Sequence, residues 1–501
     1  MDWLAEHALA LLFLTIYLMV LAYHAWKGQQ QVKSLSDYLV AGRQLGGWVV
    51  ALSFYATFMS TNTFIGAAGK SWDVGLVWCV GIFIYVGLCL VSWFVVAPRF
   101  IPLTRHYDSL TVADFLGHHY RSTMLRRVAA VIIVIASVIY LVAIYQGSAL
   151  ALKSFLGLSY ERCVLLVFIV VTGYTLAGGF KSVVLTDALQ GSLMVVGAVG
   201  MLIALLIKGN GLGLMLEQLQ TRDAGLVSWQ GNLPLVNVLG LALAVGIKYV
   251  VEPRQLSRFY GLKNKQALRT AAWVAPLLIA ITYVSLLPLG ALAHAVIPEN
   301  AFSAVETDQV SDNVIPYLLE TTKIFGPFLS TLFLLVLISA AMSSIDSVLL
   351  VGASAIDHDL LFGRYRQNSV ESSYRAVQRT RIWVVVISLV TMLIALSSWQ
   401  EGIVNLTSLS GALYGACFLP ALVVGLFWRR ATAVASLISC GAGACTVIGW
   451  YVAKRLEFTK LHEIYAGLAV GLGTFVLLGL LRVGRPREGG ACESSEALKS
   501  N

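Results

Sequence analysis

The sequence predicts an all-α integral membrane protein with about 13 transmembrane helices. Three observations carry this reading. Of 501 residues, 58% are hydrophobic and 12% are charged, about half the charged share of a soluble domain. The apolar residues come in runs of roughly 20 that are hydrophobic on every face, the length that a bilayer core about 30 Å thick asks of a helix. Lys and Arg fall unevenly between alternate connections, the pattern that orients membrane helices.

The runs lie at roughly 8–26, 47–69, 76–97, 128–155, 162–177, 183–207, 233–251, 270–297, 326–352, 382–399, 402–427, 432–452 and 461–481. The first has Asp2 and Glu6 where a signal peptide is basic, and no small-residue cleavage site before Trp26; it is expected to stay as a helix. Thirteen spans put the termini on opposite sides. With the N-terminus outside, the inner connections hold 25 Lys and Arg and the outer ones 9, with Lys248 inside a run. This predicts an outside N-terminus and a cytoplasmic C-terminus, and it explains a net charge of +9 without nucleic acid. The outer stretch 298–325 is acidic, and SDNVIPYLLETT within it predicts a short amphipathic helix. The polar tail 482–501 is expected to be disordered. The seven cysteines are odd in number and lack a CxxC pair, so they read as packing residues rather than disulfides or metal ligands. No HExxH or nucleophile–base pair lies in the runs, which argues against an enzyme.

Polar residues inside apolar runs are costly and mark candidate sites. The second run carries Thr57, Ser60, Thr61, Asn62 and Thr63, followed by Gly66 and Gly69. A helix interrupted there would free backbone carbonyls for an ion or water; hydroxyls that pack helices closely are the plainer alternative. The ninth run sets Asp346 among Ala340, Ala341, Ser343, Ser344 and Ser347. Carboxylate and hydroxyl oxygens suit a hard cation such as Na+, although an Asp about 9 Å from the helix end could also reach water. Asp187 lies at similar depth, about 6 Å, as a cation ligand or as a cap for the helix that follows. Lys248 is either paired with Glu252, four residues on, or left for a substrate carboxylate, and Tyr249 beside it is a gate or an interfacial residue.

Five stretches, SLSDYLVAGRQLGGW (34–48), FMSTNTFIG, AGGFKSVVLTDALQG (177–191), PRQLSRFYGLKN (253–264) and ISAAMSSIDSVLL (338–350), occur in one order along the chain. In that order they resemble the sodium:solute symporter family, whose members carry sugars, proline, pantothenate, sialic acid and monocarboxylates with sodium. The resemblance runs over nearly the whole chain. It implies a LeuT-type core of five helices plus five in inverted topology, here 47–207 and 233–427. An extra helix and loop at 1–46 would precede it, and further helices at 428–481 would follow. It implies a main sodium site on Ala56, Met59, Ala340, Ser343 and Ser344, and a second cation site on Asp187, Asp346 and Ser347 that could take Na+ or a proton. It implies a solute cavity lined by Ser60, Asn62, Thr63, Tyr140, Gln146, Lys248, Tyr249 and Tyr414.

The sugar carriers' Glu–Gln pair is replaced by Asn62 and Thr63, and the proline carriers' Asp by Phe58. The wording SSIDSVLL is nearer to the monocarboxylate and pantothenate carriers. With Lys248, this points to sodium-coupled symport of a small carboxylate across a bacterial inner membrane. Rival readings are a proton-coupled carrier of the same fold, a sensor on a transporter scaffold and a sodium-leak channel. The expected partners are the small solute and the lipid bilayer.

Overall fold

The structure is a computed structural model that describes residues 8–29, 43–177, 180–303, 305, 309–319, 324–362, 370–397 and 401–484. The predicted disorder of the tail concerns residues that lie, from 485 on, outside those described. Among the described residues there is no β-strand, only one isolated parallel bridge between Leu45 and Leu262.

The helices follow the apolar runs. They are α1 (Ala8–Gln29), α2 (Gly47–Phe58), α3 (Asn62–Val74), α4 (Leu76–His106), the short α5 (Val112–His119), α6 (Thr123–Leu156), α7 (Tyr160–Ala177), α8 (Phe180–Lys208) and the surface helix α9 (Leu212–Arg222). Then come α10 (Leu235–Gly246), prolonged by the turn Lys248–Val251, α11 (Pro253–Tyr260), α12 (Lys265–Ala293), the short α13 (Val310–Leu318), α14 (Pro327–Leu361), α15 (Val370–Leu396), α16 (Ile403–Phe427), α17 (Ala433–Arg455) and α18 (Glu463–Leu480). Among the described residues ten helices are long and apolar enough to cross a membrane, or eleven with α2 and α3 taken as one bent span. This bears out the all-helical, many-span expectation, with a count among the described residues below the 13 expected. The expected runs 8–26 and 162–177 are also helical, as α1 and α7.

Two helices are interrupted, and both breaks matter. α2 ends at Phe58, α3 starts at Asn62 with a π-helical turn, and the two are bent by 63°. α10 and its continuing turn end at Glu252, whose backbone is extended, and Pro253 opens α11. The sequence reading takes Pro253 as a stop. At the first position of a helix proline costs nothing, because the missing N–H had no partner there. The chain thus runs on as a helix inside the protein, and Arg254 and Arg258 follow it inward, each 1% exposed. Both were counted among the charges of a cytoplasmic loop; without them the asymmetry is 23 to 9.

α2 packs against α8 and α12, while α6 packs against α14 and α16. α14 bridges the two groups by touching α8, α6 and α2. The predicted amphipathic helix is present as α13, lying on α3 and α6. Its contact with α3 needs Gly69, where a Cβ would fall 1.9 Å from the Ser311 carbonyl oxygen. Gly69→Ala is expected to lower stability by about 1–3 kcal/mol through overpacking, read as a lower thermal midpoint in detergent. Gly87→Ala on α4, where a Cβ meets nothing within 4 Å, should leave the midpoint unchanged or slightly raised.

Candidate functional site

The break after Phe58 leaves the last carbonyls of α2 without helical partners, as at any helix end. α14 meets them. Ser343 donates its hydroxyl to the Ala56 carbonyl at 3.0 Å and to its own Ala340 carbonyl at 3.2 Å, and Ser344 donates to the Thr57 carbonyl at 3.0 Å. Ala56, Ala340, Ser343 and Ser344 are therefore gathered in one fully buried cluster. Met59 caps α2 with an extended backbone, which turns its carbonyl away from the helix. The carbonyl of Thr57 is an oxygen that sequence reasoning missed; it follows from Ser344 being next to Ser343. These neutral oxygens are the donor set a monovalent hard cation takes.

The second cluster is charged. Asp187 accepts from Ser53 at 2.7 Å, from Thr57 at 3.1 Å and from the Arg258 guanidinium at 2.7 Å, all on Oδ2. Nη2 of Arg258 also reaches the hydroxyls of Thr57 and Ser347, each at 2.6 Å, and Nε reaches Ser53 at 3.1 Å. Ser347 donates to Asp346 Oδ1 at 3.1 Å, and Asp346 Oδ2 has no hydrogen-bond partner among the described residues. The expected trio Asp187, Asp346 and Ser347 is thus linked by hydrogen bonds, but through Arg258. Both plainer readings of the acids fail. α8 begins at Phe180, so Asp187 is inside a helix and caps nothing. α14 runs to Ser354 and continues as a π-helix to Phe362, so Asp346 is far from the helix end and fully buried.

Lys248 lies at the break between α10 and α11, 1% exposed. The local pair expected with Glu252 does not form, because Glu252 bonds Arg254 at 3.0 Å. The Lys248 ammonium instead sits 4.1 Å over the ring of Tyr140, whose hydroxyl accepts from Arg254 at 3.0 Å. Gly411 of α16 lets Lys248 lie there: a Cβ at 411 would stand 3.1 Å from its Cε and 1.8 Å from the Ala244 carbonyl. Tyr249 stacks on Phe58 with ring centres 3.6 Å apart. Ser60, Asn62 and Thr63 are buried at the break, where Asn62 Oδ1 is near the Gly66 face that meets Ile403 and Val404 of α16. Ser60 Oγ, Asn62 Oδ1, Gln146 Oε1, Lys248 Nζ and Thr407 Oγ1 are buried without hydrogen-bond partners among the described residues. Thr407, on α16, was not foreseen. Tyr414 turns elsewhere, its hydroxyl 3.0 Å from that of Ser137 and 3.3 Å from the Ile133 carbonyl of α6.

A third group, Asp114, His358 and Asp359, brings its ligand atoms within 4.8 Å of one another. Arg126 already lies among them, 3.0 Å from Asp359 and 3.7 Å from Asp114, which makes this an ion-pair network tying α5 and α6 to the end of α14.

This arrangement has relatives. Residues 38–443 match the model of the sodium:solute symporter family. The chain belongs to the sodium:solute symporter family. Curated relatives include the sodium/pantothenate symporter of Escherichia coli (strain K12), 28% identical over 93% of this chain and 95% of that one. Another is the osmoregulated proline transporter of Bacillus subtilis (strain 168), 26% identical over 93% and 94%. Among solved structures, a Na+-coupled sialic acid symporter in its substrate-bound outward-open state aligns with a TM-score of 0.78 at 19% identity, covering 96% of this chain and 98% of that one. Mhp1, a transporter of the nucleobase-cation-symport-1 family, aligns in its inward-facing conformation at 0.56 with 13% identity over 91% and 95%. The fold is the LeuT-type core of five plus five helices. As a family member the chain is a multi-pass membrane symporter that couples a small-molecule solute to Na+, and its relatives are transporters.

The short helix α13 offers a titratable contact outside the spans. Asp312 of α13 accepts the backbone N–H of Ile403, the first residue of α16, at 2.9 Å. Burial pushes its carboxyl up to about 6, with the Ile403 N–H and Lys70 lowering it and Asp73 raising it. In the unfolded chain it titrates near 4. A raised folded value means the neutral carboxyl contributes stability below about pH 4, and this contribution is lost as pH rises through 6. The thermal midpoint is expected to fall between pH 5 and pH 7.5 by more in the wild type than in Asp312→Asn, whose amide stays neutral.

Proposed function

We propose that this symporter carries a small carboxylate solute, of the monocarboxylate class, inward with Na+ by alternating access. The observation that carries this is Lys248. It is a buried ammonium at a helix break, packed on Tyr140, with its nearest acid engaged by Arg254. A buried charge without a counter-ion is costly, and a solute carboxylate supplies one through a charge-assisted hydrogen bond. Pantothenate, proline and sialic acid, the solutes of the relatives, all carry a carboxylate. A zwitterion also needs an acceptor for its amine, and the position where the proline carriers have Asp holds Phe58, which is stacked on Tyr249. That favours an acid without an amino group.

In this reading Na+ binds between the carbonyls of Ala56 and Met59 and the oxygens of Ala340, Ser343 and Ser344. It thereby ties the broken helix to α14 in the state that receives solute. Ser60, Asn62, Thr63, Gln146 and Tyr249 line the solute's path with Lys248 and Tyr140, and Tyr414 holds α16 to α6. The repeats 47–207 and 233–427 each begin with an interrupted helix, which supports a pseudo-symmetric rocking of one bundle on the other. The excess of inner positive charge supports an outside N-terminus.

The test is uptake by purified protein in liposomes, with a panel of labelled acids, their amides and amino acids, with and without an inward sodium gradient. Sodium-dependent accumulation of an acid, and not of its amide, is expected. Lys248→Met should raise KM for that acid about 10–100-fold, the worth of a hydrogen bond to a charged group. Ser343→Ala with Ser344→Ala should abolish the sodium dependence. Accumulation that follows protons and ignores sodium would overturn the sodium site and shift the coupling to Asp346, whose Oδ2 lacks a partner.

A further inference from the structure

Nη2 of Arg258 carries two hydrogens, yet three oxygens stand within 2.7 Å of it, from Asp187, Thr57 and Ser347. They come from three different helices, α8, α2 and α14, and converge on one atom as ligands converge on a metal ion. A carboxylate with hydroxyls is also the donor set expected for the second cation. Calcium, of similar radius to sodium, binds oxygens at roughly 2.3–2.6 Å, so a sodium ion held by these oxygens would coincide with the guanidinium nitrogen. The two cannot occupy the position together, on grounds of both space and charge.

The guanidinium is not a loop charge folded over by chance. α11 starts at Pro253 within the protein, and Arg254 and Arg258, four residues apart, share one face of it. Arg254 neutralises Glu252 on one side. Arg258 neutralises Asp187 on the other and is 1% exposed.

Resting on the sodium-coupled reading above, we propose that Arg258 is a fixed cation that holds the second cation position, so that one sodium ion, at the main site, accompanies each solute. Arg258 is then a positioning residue. It joins α2, α8 and α14 as a second transported ion would, but it stays with the protein. Asp187 is its counter-ion and does not ligate the transported sodium.

The experiment is equilibrium binding of radioactive sodium to the purified protein in detergent, which needs no solute. The wild type is expected to bind one ion with a Hill coefficient of 1. Arg258→Ala leaves Asp187, Thr57 and Ser347 facing a vacated position, and the count should rise toward two with a steeper sodium dependence. In case that variant does not fold, Asp187→Asn combined with Arg258→Gln removes both charges and keeps polar groups of similar size. It should still bind one ion, with an affinity within about threefold of the wild type. Two ions in the wild type would overturn the proposal alone and leave the sodium-coupled reading intact. So would a count that stays at one in Arg258→Ala, or loss of binding in the double variant. No saturable binding by the wild type would bring down the main sodium site and this proposal with it.

Discussion

The break between Phe58 and Asn62 is the constraint to which the rest of the centre responds. In hydrocarbon every backbone polar group needs an internal partner. The end of α2 leaves carbonyls without one, and the bend of 63° prevents α3 from supplying it. α14 therefore brings Ser343 and Ser344 to the carbonyls of Ala56 and Thr57. Small residues around the serines, Ala340 and Ala341, let the two backbones come close enough. In the proposed sodium site a bound cation would take over what the serines donate, so the same oxygens would serve the helix end and the ion.

The second break, at Glu252, does for side chains what the first does for carbonyls. It turns the chain so that Lys248, Glu252, Arg254 and Arg258 all lie inside. Four charges within eleven residues cannot be buried independently. Arg254 and Glu252 cancel, Arg258 and Asp187 cancel, and Lys248 is left on an aromatic face. What remains is the Lys248 ammonium and the Asp346 carboxylate, and in the proposed mechanism these are where transported charge would enter.

Much of this was legible in the sequence. The apolar runs placed most of the spans, the polar crowd at Thr57–Thr63 marked the first break, and SSIDS marked its partner helix. The misreadings share one physical cause. Helix ends were read where hydropathy falls, at 251 before Pro253 and at 352, whereas the helices go on through buried polar residues. For that reason Arg258 was counted as a loop charge, and reach to water stayed open for Asp346 beside its reading as a cation ligand. Proline at a first helical position and a π-helical continuation are both settled by tertiary contacts, which hydropathy does not record. A spacing of four between Arg254 and Arg258 directly after a proline was the available signal. Of the two readings open for Lys248, the pair with Glu252 fails for a similar reason: the i,i+4 rule holds only within one continuous helix, and Glu252 sits at the interruption.

Charge balance then decides what drives the solute. One sodium with a monocarboxylate moves no net charge, so the membrane potential does no work on the pair. A tenfold sodium gradient alone supplies about 1.4 kcal/mol, a tenfold accumulation. Two sodium ions with the same acid would carry one net charge, and 100 mV would add about 2.3 kcal/mol, for a total of about 5 kcal/mol. Under the proposed one-sodium stoichiometry, with Arg258 in the second position, that steeper accumulation is given up. In exchange the membrane potential would not bear on uptake of such an acid, which would be drawn in by the sodium gradient without pulling positive charge across. The residue that would set this balance is a side chain tethered to α11, so the coupling ratio would be written into the protein's covalent structure rather than left to the ion concentration around it.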